Sequence, residues 1–349
     1  MKRNRSYREI KEMEEKYMRA EEKMILLGVL SKRSEEEEAI FSKLFTKKLD
    51  WAWIVGTLVR HRVNGNFVQS LDKEHRKMIN PKILSTFDLL SRMYEAINIQ
   101  NLHMCEEIFA NAQKRNLKIA GLKGVVFNTS LYSLKTRMSN DIDILVAEKD
   151  IKQFDVLMRE LGFIQSLDGG ISEATRKEKL IQIMNYHDLV PYYKKVNEMC
   201  MDKIKVDVNF HFDSKEHDIT EEIIKYGTVE YKGNGFCVEG LDWRTHLLHL
   251  CAHYYREATG EIWKRDKRYL DLYKLVDIEN TFRRIDDSRM IYWCEVVKEF
   301  GMEDACYYTV NNLIEFYPSS KYREIMLELS CEHNVVTSGN IYKETFERA

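Results

Sequence analysis

The stretch Ser139-Asn140-Asp141-Ile142-Asp143-Ile144-Leu145-Val146 decides how this chain is read. Side chains two apart on a β-strand leave the same face. A strand here sets Asp141 and Asp143 on one side and Ile142 and Ile144 on the other, where they can be buried. Two neighbouring carboxylates repel each other, and each resists leaving water. A sequence that backs such a pair with an apolar face needs a cation to balance it. Oxygen-only ligation fits Mg²⁺ or Mn²⁺.

A second segment repeats the pattern. In Lys205-Val206-Asp207-Val208-Asn209-Phe210-His211, the positions Asp207, Asn209 and His211 share one face, and Val206, Val208 and Phe210 share the other. If the two strands are neighbours, Asp207 becomes a third carboxylate beside Asp141 and Asp143. Such a set can hold metal ions that clamp a triphosphate and an acceptor hydroxyl. Asp207, taken as nearest the acceptor, is the group expected to help deprotonate that hydroxyl. A lone D-x-D on a strand is common without catalysis, so its surroundings have to carry the reading.

Working outward, the chain changes texture twice. Residues 1–116 read as helical: apolar residues recur at helical spacing over 21–30, and Ser34 before Glu35-Glu36-Glu37-Glu38 is an N-cap with acids in the first turn. Asn64-Gly65 reads as a turn, and Pro81 opens another helix. Residues 117–239 read as a small α/β core. It holds a short apolar piece ending at Gly121, a helix over 124–134, the strand 141–146, and a helix capped by Asp150 and closed by Gly162. An extended piece at 163–165 and strands over 187–195 and 203–212 complete it. Residues 240–349 return to helical spacing over 245–255, 268–276, 290–300 and 304–316. The expected class is α+β: a mixed-sheet core flanked by N-terminal and C-terminal helical regions.

Leu122-Lys123-Gly124, then Arg137, then Asp141-Ile142-Asp143-Ile144-Leu145-Val146, then a helix ending in Leu161-Gly162-Phe163, resembles the DNA polymerase β-like nucleotidyltransferase superfamily. Within it the chain is similar to the bacterial group called uncharacterised nucleotidyltransferases. The matched motifs span about 117–212, and the pattern around Leu247-Leu248-His249-Leu250-Cys251-Ala252-His253 and Asp271-Leu272-Tyr273 also looks like that group. The resemblance implies a mixed sheet, Asp141 and Asp143 as metal ligands, and Asp207 as the third carboxylate. It implies Mg²⁺-dependent transfer of a nucleotidyl group from an NTP with loss of pyrophosphate. The chain departs from the pattern at two places. Superfamily members commonly have Gly-Ser or Gly-Gly at the helix start, where small side chains and backbone N–H groups meet phosphate, but here Val125 follows Gly124. The subgroup often has His two residues after the third acid, where this chain has Asn209.

Several residues are candidates for substrate contact. Lys123 and Gly124 precede the D-x-D, and the lysine is a point donor to phosphate. Arg137 reads either as a phosphate contact or as a surface arginine pairing with a loop acid. Asn209 follows the third acid. His246, His249 and His253 fall at helical spacing, but Leu250 replaces the glutamate of a zincin motif, so packing is the default and a contact to nucleotide or acceptor is the alternative, with His253 the named substrate-binding candidate. Lys264, Arg265, Lys267 and Arg268 form a basic cluster whose default is a solvated helix face.

The 349 residues carry a net charge of −2, which argues against a broad nucleic-acid footprint and leaves RNA an open but unfavoured acceptor. With 44% hydrophobic and 32% charged residues the chain reads as folded and not disordered. Its 7 cysteines form no CxxC pair and are odd in number, so a reducing cytoplasm is the simplest setting. Met1-Lys2-Arg3-Asn4-Arg5 leads into charge without an apolar core, and no apolar run reaches the roughly 20 residues of a membrane span. The expected function is metal-dependent transfer from an NTP donor to an unidentified acceptor. The alternatives are a nucleotide- or phosphate-binding partner protein without transfer, and transfer from another phosphorylated donor such as a nucleotide sugar.

Overall fold

The computed structural model describes residues 18–214, 217–265, 271–329 and 341–347. The chain divides into two compact units: Leu89–Leu250 is one, and the segments up to Asp88 and from Cys251 onward form the other.

The unit Leu89–Leu250 is built on one mixed sheet of seven strands. These are β1 (Ile119–Gly121), β2 (Ile142–Val146), β3 (Ile164–Gln165), β4 (Tyr192–Glu198), β5 (Met201–Asn209), β6 (Thr228–Gly233) and β7 (Phe236–Leu241), in the order β3-β4-β5-β2-β1-β7-β6. β2 runs parallel to β5 and β1 parallel to β7, while the other neighbours are antiparallel. A parallel pair cannot be closed by a tight turn. The chain from β2 to β5 accordingly travels through the helix Ile151–Glu160, β3, the helix Arg176–Asn185 and β4. On the apolar face, Ile142, Ile144, Val206 and Val208 are fully buried and pack in one cluster with Phe154, Leu157 and Met158 of Ile151–Glu160. That cluster fixes the opposite face of β2 and β5 as the polar one.

Local differences from the sequence reading have physical causes. β2 starts at Ile142, so Asp141 stands at the residue before the strand. β4 starts only after Pro191; the preceding segment bonds to β5 as a loop, through Leu189 N–H to the Val208 carbonyl (2.9 Å) and an Asp188–Asn209 bridge. The helix expected over 124–134 ends at Ser130. Asp150 makes no side-chain cap, because the turn Glu148–Asp150 already winds as a 3₁₀ helix into Ile151–Glu160. The β6–β7 hairpin was not anticipated, although Asn234 and Gly235 at its turn both have positive φ (53° and 86°), the signature of a two-residue hairpin loop.

The other unit is helical among the described residues. Ser34 and Glu37 form the capping box that opens Glu35–Leu44. Asn64-Gly65 is not a turn: both residues are buried in the helix Asn64–Gln69, and the left-handed step falls instead at Arg62, with φ 60°. N-terminal and C-terminal helices share one core. The Asn280 side chain accepts from Ser31 N–H (2.7 Å) and donates to the Val29 carbonyl (3.2 Å), and Arg283 donates to Glu37 through two nitrogens (2.7 Å each). Lys264 and Arg265 are exposed on Glu261–Arg265, whereas Lys267 and Arg268 lie outside the described residues. Among the described residues, no helix is long and apolar enough to cross a membrane.

Candidate active site

The parallel register of β2 and β5 sets Asp143 directly opposite Asp207. Asp143 is only 8% exposed. The side chains of Asp141 and Asp207 are 33% and 24% exposed. Two lysines lie against these acids. Lys123 Nζ donates to Asp143 Oδ1 at 2.9 Å, and Lys205 Nζ donates to Asp207 Oδ2 at 2.5 Å and reaches Asp141 Oδ2 at 3.5 Å. The second oxygen of Asp207, Oδ1, is buried with no hydrogen-bond partner.

The three acids sit in unequal environments. Burial pushes Asp207 up to about 7, the charge of Asp141 adds to the rise, and Lys205 opposes it without prevailing. Burial also raises Asp143, against the pull of Lys123 and helped by Asp141. At Asp141 burial acts in the same direction, but Lys205 and Lys123 outweigh it and hold this carboxyl below the usual range. An orphaned carboxylate oxygen among hard oxygen donors, in a cluster whose ionisation is penalised, fits a divalent cation of the Mg²⁺ or Mn²⁺ kind. The cluster is not closed around such an ion, however. Among the described residues the one trio with ligand atoms all within 4.8 Å is Glu38, Asp72 and His75, in the helical unit.

Lys123 reaches Asp143 because of an unusual backbone. Leu122 N–H bonds the Asp143 carbonyl (3.0 Å), which carries the β1 pairing one residue past the strand. Lys123 then adopts φ 45° and ψ −113°, a left-handed conformation rare for a residue with a side chain. Its N–H donates to His246 Nε2 at 2.9 Å. His246 is 3% exposed, and burial, reinforced by the nearby Arg137 and Lys123 charges, lowers its pKa to about 3. The ring is therefore neutral at ordinary pH and free to accept at Nε2. At Gly124 a Cβ would lie 2.2 Å from Ser139 Oγ and 2.9 Å from Arg137 Nη1, so no larger residue fits.

The segment entering β2 is held from below. Arg137 is buried, donates to Ser139 Oγ (2.9 Å) and lies over the Phe127 ring at 5.5 Å. Asn98 donates to the carbonyls of Leu134 and Arg137 (2.8 Å each), and Asn101 donates to that of Ser139 (3.0 Å). Both asparagines are buried on Pro81–Lys114, three residues apart and so on one helix face. Asn128 also donates to Ser139 Oγ (3.1 Å), so a hydroxyl does stand beside Gly124, supplied by Ser139 across the fold and not by the residue after the glycine.

Of the residues singled out in the sequence, Asp141, Asp143, Asp207, Lys123, Gly124 and Arg137 come together around the start of β2. Arg137 is a buried residue that donates to Ser139, not a surface arginine. Asn209 is buried farther along β5, opposite Leu145. His253 belongs to the helical unit, where its ring lies 3.5 Å from Glu257 and 3.1 Å from Arg256. Sequence reasoning missed Lys205, Ser139, Asn98 and Asn101, and it read His246 as packing or as a contact to nucleotide or acceptor, not as the acceptor for Lys123 N–H. Lys205 was within reach, because it precedes Asp207 by two and shares its face.

The Glu38, Asp72 and His75 group is explained without an ion. Arg33 donates to Glu38 at 2.6 Å, and Asp72 caps the helix Lys73–Lys77 by accepting from His75 N–H at 2.8 Å.

No curated protein matches this sequence. The family model for an uncharacterised nucleotidyltransferase matches residues 47–318, most of the chain and all of the sheet. The chain belongs to the uncharacterised nucleotidyltransferase family.

Proposed function

We propose that the protein is a metal-dependent nucleotidyltransferase of the DNA polymerase β-like kind, acting from an NTP on an acceptor hydroxyl. The observation that carries this reading is the in-register pair Asp143 and Asp207, joined by Asp141 and left with one buried, unsatisfied carboxylate oxygen. Asp141, Asp143 and Asp207 would hold Mg²⁺ or Mn²⁺. When bound, such an ion supplies positive charge for the triphosphate and lowers the pKa of a hydroxyl beside it.

The chain's own groups then have separate tasks. Lys123, kept beside Asp143 by its backbone bond to His246, offers an ammonium to a phosphate oxygen. Asp207 accepts the acceptor hydroxyl proton at a carboxylate oxygen. The acceptor oxygen forms its bond to the α-phosphorus as the bond to the bridging oxygen breaks, and pyrophosphate leaves with that electron pair. Arg137 and Ser139 hold the loop that carries Asp141. The acceptor class we favour is a small molecule or peptide, on the near-neutral net charge of −2.

The test is incubation with Mg²⁺ and each labelled NTP across small-molecule, peptide, protein and RNA acceptors, with labelled nucleotide sugars alongside. Label transfer with pyrophosphate release, abolished in Asp141→Ala and Asp143→Ala, is expected. Transfer undiminished in those variants overturns the site. Calorimetric binding of NTP without release under any acceptor condition would instead identify a binding protein that has kept the fold, a reading that Val125 after Gly124 favours.

A further inference from the structure

The carboxylate cluster carries its own counter-ions. Lys205 leaves β5 on the same face as Asp207, and its ammonium contacts both Asp207 and Asp141 (2.5 and 3.5 Å), while Lys123 holds Asp143 (2.9 Å). Each of the three acids thus already has an ammonium, and Arg137 adds a third positive charge that both Asp141 and Asp143 feel. Two ammonium groups thus already stand against the three carboxyls before any ion arrives. β5 lies between β4 and β2 in the sheet, so this lysine stands in the interior of a paired surface and not on a solvated edge.

A divalent ion and the Lys205 ammonium compete for the same oxygens of Asp141 and Asp207. An ion arriving alone must displace an ammonium and leave it unpaired among positive charges, which is unfavourable at short range. A triphosphate changes the balance, because its oxygens give the displaced ammonium a new anionic partner. We infer that Lys205 is the resting counter-ion of the cluster and yields the carboxylates to a divalent ion only when a triphosphate takes up its ammonium, so that metal and nucleotide bind as a coupled pair. This inference rests on the carboxylates being the metal site. It adds that the site protects itself from loading by metal alone. Coupling of this kind is reciprocal, so each ligand raises the affinity of the other by the same factor.

The experiment measures free Mn²⁺ by electron paramagnetic resonance in titrations of the full chain, with and without a non-hydrolysable α,β-methylene triphosphate. Wild type is expected to bind Mn²⁺ at least about tenfold more tightly with the analogue than without it. Lys205→Met is expected to bind Mn²⁺ alone at least about tenfold more tightly than wild type and to lose most of the enhancement by the analogue. Lys205→Arg keeps the charge and should keep the coupling, which separates charge from packing; Lys205→Gln replaces the methionine variant if circular dichroism shows that the latter does not fold. Mn²⁺ binding by wild type that ignores the analogue, or neutral variants that bind Mn²⁺ no more tightly than wild type, overturns the inference. Asp141→Asn with Asp143→Asn distinguishes that failure from a deeper one. If the double variant loses Mn²⁺ while the Lys205 results fail, the metal site stands and only the counter-ion role falls. If it binds Mn²⁺ as wild type does, the site assignment falls as well.

Discussion

Two clusters in this molecule bring acids to within reach of one another, and they differ in how their charge is satisfied. Glu38, Asp72 and His75 meet the distance criterion for a metal, yet Asp72 is 62% exposed and spends its charge on a helix cap, and Glu38 is paired with Arg33. Asp141, Asp143 and Asp207 do not meet that distance criterion, yet one is nearly buried, one keeps an unsatisfied buried oxygen, and two are pushed toward protonation. Proximity alone is a weak sign of function, because helix caps and surface pairs produce it routinely. A buried carboxylate oxygen left without a partner is the stronger sign, since a fold carries that cost only where something else benefits.

The comparison breaks most visibly in turnover. Asp143→Asn should lower transfer on the order of 10³-fold or more, the loss of several kcal/mol of charge stabilisation, while Glu38→Gln and Asp72→Asn leave the rate within about twofold. A rate assay on the three variants decides it, and an equal loss in both clusters would erase the distinction. Asp207→Asn is expected to cost about 10²–10⁴-fold in rate through the lost proton acceptor, read as a fall in kcat under saturating NTP.

Acid stability sharpens the comparison from another side. His246 is held near pH 3 in the fold against 6.5 when free, so the unfolded chain takes up the proton first. Its contribution is present above about pH 6.5 and is lost as pH falls toward 3, with a slope of up to about 1.4 kcal/mol per pH unit. Urea unfolding across that window should show the slope in wild type and a shallower one in His246→Gln, whose side-chain oxygen can still accept from Lys123 N–H. The smallest effect belongs to the other cluster: Asp72→Ala should cost about 1 kcal/mol of stability through the lost cap, measured by the same urea unfolding, with transfer untouched.

Much of this was legible in the order of residues. The period of two identified β2 and the end of β5, their apolar faces, and Asp143 and Asp207 on the other face, while Asp141 falls just before β2. Helical periodicity found the helices around Leu247, Val296 and Leu313. What escaped depends on contacts far apart in the chain. Nothing local in Asn98 or Asn101 says that they will hold the loop before β2, and nothing in His246 says that it will accept from Lys123. Asn64-Gly65 shows the converse: the dipeptide has turn chemistry, but Arg62 took the left-handed step and burial drew the pair into a helix. At Asn234-Gly235 the same chemistry did make a hairpin, between strands whose exposed residues blur the alternation.

Position 123 has a consequence of its own. The backbone there has the geometry of a glycine, while the ammonium is what reaches Asp143. A side chain held at such an angle costs on the order of 1–3 kcal/mol. Descendants of this sequence therefore face a fork: glycine at this step would make a sturdier protein with a poorer site, and lysine keeps the site only while the His246 bond holds the strained loop in place. Positions 123 and 246 should consequently change together or not at all as the family diverges.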